Sequence, residues 1–198
     1  MKNLFKKSFI HLTIIGLFIL FLPLNSHSQN IHYGVLAMSG GRYDDLRMCV
    51  ASAAGVKGGP IADIMFSIKR TISPDQSLII NIPFMRPILF AAAFDMLQFE
   101  PEVAYLWEHP SASGRIWFSG PGMGISLNYG PDYTSDLNNR GESFFSAGPM
   151  FQYQAGMKFT ESKRSSLAFK VFYIPLFSSK GFNNGTVLGG NIQYSYYF

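Results

Sequence analysis

The end of the chain, residues 185–198, constrains the fold more than any other stretch. Read at every second position, one half of this segment is mostly apolar and aromatic, and the other half is small or polar. Successive side chains of a β-strand point to opposite faces, so the pattern predicts a strand with one apolar face. The chain ends on that face, at Phe198 after Tyr194 and Tyr196. A soluble domain gains little from such an ending, whereas aromatic rings suit the membrane interface of a transmembrane barrel.

Earlier segments of the chain repeat this period-two pattern, with turn residues between them. The sequence predicts eight strands, at about residues 31–38, 61–72, 77–85, 96–108, 115–129, 145–159, 165–176 and 185–198. Pro101 removes one backbone donor from the fourth strand, which predicts a local bulge there. The lone cysteine, Cys49, forms no internal disulfide, so the hydrogen-bond ladder of the sheet has to hold the fold.

Most charged residues within the predicted strands lie on the face opposite the aromatic residues. They are Asp63, Lys69, Glu100, Glu102, Lys158 and Lys170. Arg70 is an exception, but it lies near a strand end, from which its side chain can reach the interface. Because Lys or Arg on the lipid face near the midplane costs about 2–4 kcal/mol, this segregation predicts a polar lumen. We expect the six charged residues to pair across that lumen as a plug, since an unpaired buried charge is too costly.

The connections between the predicted strands alternate in length. Those after the second, fourth and sixth strands are short, and the others are longer. Outer-membrane barrels combine short periplasmic turns with long external loops, and an even number of strands places both chain ends in the periplasm.

The alternating aromatic tail that ends in Phe198 resembles the C-terminal signal of Gram-negative outer-membrane β-barrels. The resemblance implies recognition by the barrel assembly machinery, through Tyr194, Tyr196 and Phe198. Over the rest of its mature length the chain resembles small barrels of the eight-stranded type. The predicted fold class is all-β, a single antiparallel up-and-down transmembrane β-barrel in the lipid of the outer membrane. The alternative is a soluble barrel of lipocalin type, which would have to enclose nearly every aromatic ring in a narrow interior.

Residues 1–28 read as a cleaved secretory signal peptide, and residues 29–198 as the barrel domain. Lys2, Lys6 and Lys7 precede an apolar run, and Ser26 and Ser28 are small residues before the expected cleavage site. A transmembrane anchor is the alternative for this segment. The leader holds three lysines and no acid, so the formal charge of +4 falls to +1 without it, and a nucleic-acid partner is not supported.

The remaining features do not favour an enzyme. Some eight-stranded outer-membrane barrels modify lipid A with a His and a Ser near the outer leaflet, but His32 and His109 are predicted at the periplasmic end. Glu100 and Glu102 fit a charge plug better than acid–base catalysis. Asp132 and its neighbours depart from the spacing of a calcium loop, and we predict no cofactor or metal site.

Residues 39–59 leave two structures open: an external loop with a short helix near 46–54, or a hairpin of 42–53 with 61–72. The sequence favours a non-enzymatic protein of the outer membrane, with a surface-interaction or envelope-structural role. The alternative is a narrow, porin-like channel or a conduit for small or apolar solutes. A ligand of the external loops is expected but not identified.

Overall fold

A computed structural model describes residues 31–46, 48, 55–84, 86–87, 97–112, 114–133, 141–159, 164–179 and 181–198. The predicted signal peptide and Cys49 lie outside these residues. The strand segments are β1 Ile31–Asp44, β2 Gly59–Ser73, β3 Gln76–Pro83, β4 Arg86–Pro87, β5 Leu97–Phe99, β6 Glu102–Pro110, β7 Ile116–Pro131, β8 Ser143–Lys158, β9 Ser165–Ser178 and β10 Gly185–Tyr197. Among the described residues, no helix is long and apolar enough to cross a membrane.

The strands form a closed antiparallel barrel in which each strand pairs with its neighbours in sequence. The first strand, β1, pairs with both β2 and the last strand, β10, and the pairing of β7 with β8 completes the ring. The segments β3 and β4 together make the third barrel strand, and β5 and β6 make the fourth, so the ten segments form eight strands. The predicted strand count and fold class are confirmed. Closure leaves no unpaired sheet edge in the hydrocarbon, as a transmembrane barrel requires.

Pro101 interrupts the fourth barrel strand between β5 and β6 without changing its register on β7. Phe99 lies opposite Leu127, and Glu102 lies opposite Gly124. The backbone N–H of Ile125 donates to the Pro101 carbonyl at 3.2 Å, so the ladder continues on that side. The bulge predicted at Pro101 is therefore wrong for this strand, because Pro loses a donor without inserting a residue.

The extra residue lies instead in the neighbouring third strand. Asn81 is opposite Glu102, whereas Arg86 is opposite Gln98, so four residues on that side face three on the other. A bulge of this kind bends the strand that carries it and raises the local twist. The fourth strand keeps its alternation through Pro101, so Gln98 and Glu102 share a face and both point into the lumen.

The two faces of the sheet have opposite chemistry. Large apolar and aromatic side chains cover the outside, among them Trp117, Met123, Tyr129, Phe151, Tyr153, Phe169, Ile192 and Phe198. The alternate positions are buried in the lumen. A soluble barrel would have the aromatic face inside, so the lipocalin-type alternative does not describe this fold.

The two ends of the barrel differ in their connections. The start of β1 and the end of β10 share one end with the short connections at residues 74–75, 111–115 and 159–164, and we call this the turn end. The opposite end, the loop end, carries residues 45–58, 88–96, 132–142 and 179–184. By the rule for outer-membrane barrels, we expect the turn end to be periplasmic and the loop end to be external.

The structure decides between the alternatives for residues 39–59. β1 runs beyond the predicted end to Asp44, and Arg42 lies opposite Gly59 at the start of β2. The hairpin alternative is therefore wrong, because β1 itself supplies the partner of β2. Most of the short helix suggested at 46–54 lies outside the described residues.

Candidate functional site in the barrel lumen

The lumen is the place where the described residues concentrate buried polar chemistry. Near the turn end, Glu108 joins two lysines. Its Oε1 accepts hydrogen bonds from Lys69 Nζ at 2.7 Å and from Ser77 Oγ at 2.8 Å. Its Oε2 accepts one from Lys158 Nζ. These four residues form the turn-end cluster, in which one carboxylate holds the side chains of three strands.

A second group, the central cluster, lies further along the lumen. Lys170 Nζ donates to Glu102 Oε2 at 2.6 Å, and Asn81 Nδ2 donates to Glu102 Oε1 at 2.7 Å. Ser67 Oγ donates to Asn81 Oδ1 at 2.7 Å and lies 3.0 Å from the Tyr197 hydroxyl. Each oxygen of the Glu102 carboxylate therefore has a partner, which offsets much of the cost of burying it.

The loop-end cluster surrounds Glu100. Gln98 Nε2 and Ser126 Oγ donate to Glu100 Oε1 at 2.6 and 2.7 Å. Arg42 lies between two carboxylates, 3.3 Å from Asp44 Oδ2 and 3.9 Å from Glu100 Oε1. The three clusters together contain four cationic side chains and four carboxylates, so they balance in charge.

An apolar layer fills the lumen towards the loop end. This apolar cluster includes Leu36, Met38, Leu46, Met48, Ile61, Met65, Tyr133, Phe144, Met150, Phe172, Ile174, Leu176 and Val187. Leu46 and Met48 follow β1 at the loop end and are buried here, and Ser146 Oγ donates to the Met48 sulfur at 3.6 Å. Burial of two residues from beyond β1 indicates that the start of this connection folds inward and helps to close the lumen.

Several lumen amides lack hydrogen-bond partners among the described residues. Both polar atoms of Gln152 and of Asn191 are buried and unpaired, as is Nε2 of Gln193. A cavity of about 10 Å³ lies beside Asn191, bounded also by Glu102 and Lys170. This volume corresponds to about one water molecule, and buried amides without protein partners are usually hydrated. The cavity beside Asn191 therefore has room for one isolated water molecule.

A larger cavity of about 50 Å³ opens at the loop end. Its walls include Asp45, Asp132 and Phe182, and the Phe182 ring stacks on Phe144 with centroids 4.9 Å apart. Asp45 is fixed in place because its Oδ1 accepts a hydrogen bond from the Thr186 backbone N–H at 2.6 Å. Within the described residues, no group of three or more His, Cys, Asp or Glu side chains is arranged to hold a metal ion.

The six charged residues expected in the lumen all lie on its side of the sheet, but at different heights. Lys170 contacts Glu102, whereas Lys69 and Lys158 contact Glu108. Asp63 is half-buried and accepts a hydrogen bond from the Ile64 backbone N–H at 2.8 Å. It is six residues from Lys69 along β2, which is about 20 Å in a strand.

The charge network predicted from sequence left out three charged residues of the lumen clusters: Arg42, Asp44 and Glu108. Glu108 has the same parity as Glu100 and Glu102, so the alternation of the fourth strand already places it on the lumen face. Arg42 and Asp44 were left out because the predicted first strand ended at Met38. The strand in fact continues to Asp44, and both residues share the lumen face with Met38.

The three residues of the expected assembly signal lie on the outside of β10 and at its end. Tyr194, Tyr196 and Phe198 are all exposed, while Tyr197 between them points into the lumen and contacts Ser67. The Phe198 backbone N–H donates to the Tyr33 carbonyl at 2.9 Å, which links the end of the chain to the first strand.

The sequence matches no protein-family model and no curated protein. Solved structures do resemble it. Neisserial surface protein A shares 11% sequence identity, with a TM-score of 0.57 over 85% of this chain and 97% of that chain. Ail of Yersinia pestis shares 13% sequence identity over 85% of this chain and 97% of that chain, with a TM-score of 0.41. The N-terminal barrel of Pseudomonas aeruginosa OprF shares 12% sequence identity over 82% of this chain and 97% of that chain, with a TM-score of 0.36.

At this level of identity the comparison concerns the fold, and Neisserial surface protein A supports it best among these three because its TM-score is above 0.5. The chain has the fold of the small outer-membrane β-barrels. Its closed ladder and its apolar, aromatic outer face are what an outer-membrane location requires.

Proposed function

We propose that the chain is a non-enzymatic outer-membrane protein with a plugged lumen and a loop end that carries its interaction surface. The observation that carries this proposal is the content of the lumen. Ion pairs occupy it at the turn end, the centre and the loop end, and the apolar cluster fills the space around them. A barrel filled in this way serves as a rigid base for its external loops rather than as a passage.

Conductance in a planar lipid bilayer tests the plug. We expect the purified, folded barrel to give no sustained conductance steps, because ion pairs and apolar side chains fill the lumen and the cavity beside Asn191 is about the size of one water molecule. Heat-modifiable migration on a gel verifies that the inserted protein is folded. Regular steps from the wild-type barrel would overturn the proposal and support a channel.

A narrow, water-filled channel is the second candidate. The unpaired amides of Gln152, Asn191 and Gln193 favour it, because buried polar groups without protein partners attract water. Small, rare conductance steps that disappear in Asn191→Leu would support this candidate, since leucine removes both unpaired atoms at similar volume.

The positions of the histidines argue against lipid modification. His32 lies near the start of β1 and His109 near the end of β6, so both are at the turn end. The other two histidines, His11 and His27, lie in the predicted leader. A nucleophile that works on the outer leaflet needs a base within hydrogen-bond reach. Turnover of lipid A by the wild type, lost in a folded Glu102→Gln variant, would restore the enzyme hypothesis.

A further inference from the structure

Arg70 is the unusual residue on the outer face of the barrel. Among the strand residues whose side chains are described, it is the only Asp, Glu, Lys or Arg that points outward. Its neighbours on the same strand face, Ile68 and Ile72, are apolar, and so is Leu78, its partner across the sheet on β3. No described residue forms a hydrogen bond or an ion pair with the guanidinium. A permanent cation thus points outward with no partner among the described residues.

The height of Arg70 places it at the edge of the membrane. It lies opposite Ile31, the first residue of β1, and three residues before the end of β2, which is about 10 Å of strand. Tyr33 lies two residues beyond Ile31 on β1, on the same face and further from the turn end. It is exposed and stacks on Phe66, with ring centroids 6.0 Å apart. Rings of this kind mark the interface, where the cost of an outward arginine falls to about 0–1 kcal/mol.

Two further donors lie on the outer face of the next two barrel strands. Gln76 on β3 lies opposite Trp107 on β6, and both side chains are on the outer face. Because Leu78 is directly opposite Arg70, Gln76 is its diagonal neighbour, at about 7–8 Å between Cα atoms and within reach of long side chains. Guanidinium, carboxamide and indole N–H are all donors, so the patch offers an anion several hydrogen bonds and one full positive charge.

We infer that Arg70, Gln76 and Trp107 bind the phosphodiester of an anionic glycerophospholipid in the leaflet at the turn end. The planar guanidinium fits two phosphate oxygens at once, and the apolar residues around it contact the acyl chains. An anionic lipid is preferred to a zwitterionic one because no headgroup amine competes with Arg70 for the phosphate. The inference is independent of the role proposed for the lumen and the loop end.

Stability in lipid vesicles tests the site. The protein is folded into vesicles of phosphatidylcholine, or of phosphatidylcholine mixed with phosphatidylglycerol, and the urea midpoint of unfolding is followed by heat-modifiable migration. We expect a higher midpoint in the anionic vesicles for the wild type and loss of that shift in Arg70→Leu. Trp107→Phe, which removes only the indole donor, should lose part of it.

Lys57→Leu is the matched control, since it removes one cation at the loop end, where Lys57 lies over the Tyr43 ring. This variant should keep the phosphatidylglycerol shift. Equal losses in Arg70→Leu and Lys57→Leu would show a general effect of net charge and overturn the inference, as would the absence of any shift in the wild type. Should Arg70→Leu fail to fold, the phosphatidylglycerol shift of Trp107→Phe tests the inference alone, and an undiminished shift would overturn it.

Native mass spectrometry separates a lipid from free phosphate. We expect the wild type to retain phosphatidylglycerol through detergent removal, and Arg70→Leu to retain less. Added inorganic phosphate should not displace the retained lipid, because the acyl chains contribute to binding. Displacement by phosphate, or equal retention by both proteins, would contradict the site.

Discussion

Glu108 is the residue on which the turn-end cluster depends. Its carboxylate accepts from Lys69 and Lys158, and both lysine side chains are about nine-tenths buried, with 11% and 10% of their area exposed. Glu102 pairs with one lysine, Lys170. Removing one carboxylate charge therefore leaves two buried cations unbalanced at the first site and one at the second.

We expect Glu108→Gln to lower the free energy of unfolding by about 3–5 kcal/mol, and by more than Glu102→Gln does. The urea midpoint of the refolded barrel measures both losses. In the Glu108→Gln background, Lys158→Met should recover part of the stability because it removes one of the two uncompensated cations. Equal losses in the two single variants would contradict the special position of Glu108.

The direction of each lumen residue was predictable from sequence, but its partner was not. Parity alone places Lys69, Glu102 and Lys158 inside, because a strand has a period of two. Which of them meet depends on how far the strands are staggered around the barrel, and no local pattern specifies that stagger. The expectation that the six charged residues pair with one another therefore did not include Glu108 as a partner of Lys69 and Lys158.

At the scale of elements, the seam between the first and last strands, β1 and β10, contains a close backbone contact at Gly40. A Cβ atom on Gly40 would lie 2.5 Å from the Cα of Asn191 and 2.6 Å from its Cβ. The next residue, Gly41, has its nearest neighbour at 4.0 Å, the carbonyl oxygen of Gly59. Adjacent glycines on the same strand thus meet different surroundings.

Gly40→Ala should therefore destabilise the barrel by about 1–3 kcal/mol, because the new methyl group has to push β10 away. Gly41→Ala is the matched control and should be neutral or stabilising by about 0.5–1 kcal/mol, since alanine restricts the unfolded chain more than glycine. Both are measured as urea midpoints on the same gel assay. Similar effects of the two substitutions would show that the seam between β1 and β10 is looser than described.

The last strand also tests the expected assembly signal. Phe198 contributes one backbone hydrogen bond to Tyr33, and the residue is 64% exposed, so its direct share of the folding energy is small. Deletion of Phe198 should leave refolding in detergent nearly unchanged but reduce the heat-modifiable form in cells. Phe169→Ala, which removes another outward ring, should not reduce assembly. Normal assembly of the deletion in cells would contradict recognition of the tail.

For the whole molecule, strand number, closure and the choice of faces followed from alternation and connection lengths, because each strand carries that information locally. The apolar cluster could not be predicted from these local patterns. Its residues lie at lumen positions of several strands, such as Met38 on β1 and Met150 on β8, and become one layer only when the barrel closes. The inward position of Leu46 and Met48 likewise depends on packing against distant strands.

The three polar clusters lie at different heights in the lumen, so opening one of them leaves the other two in place. We expect neither Glu102→Ala with Lys170→Ala nor Met150→Ala with Phe172→Ala to give sustained conductance, because each pair opens only the centre of the lumen. Heat-modifiable migration verifies folding of each variant, and a variant truncated in every layer provides the positive comparison in the same bilayer assay. Conductance from either pair alone would mean that one layer is the gate, and the lumen would then be a closed channel rather than a plug.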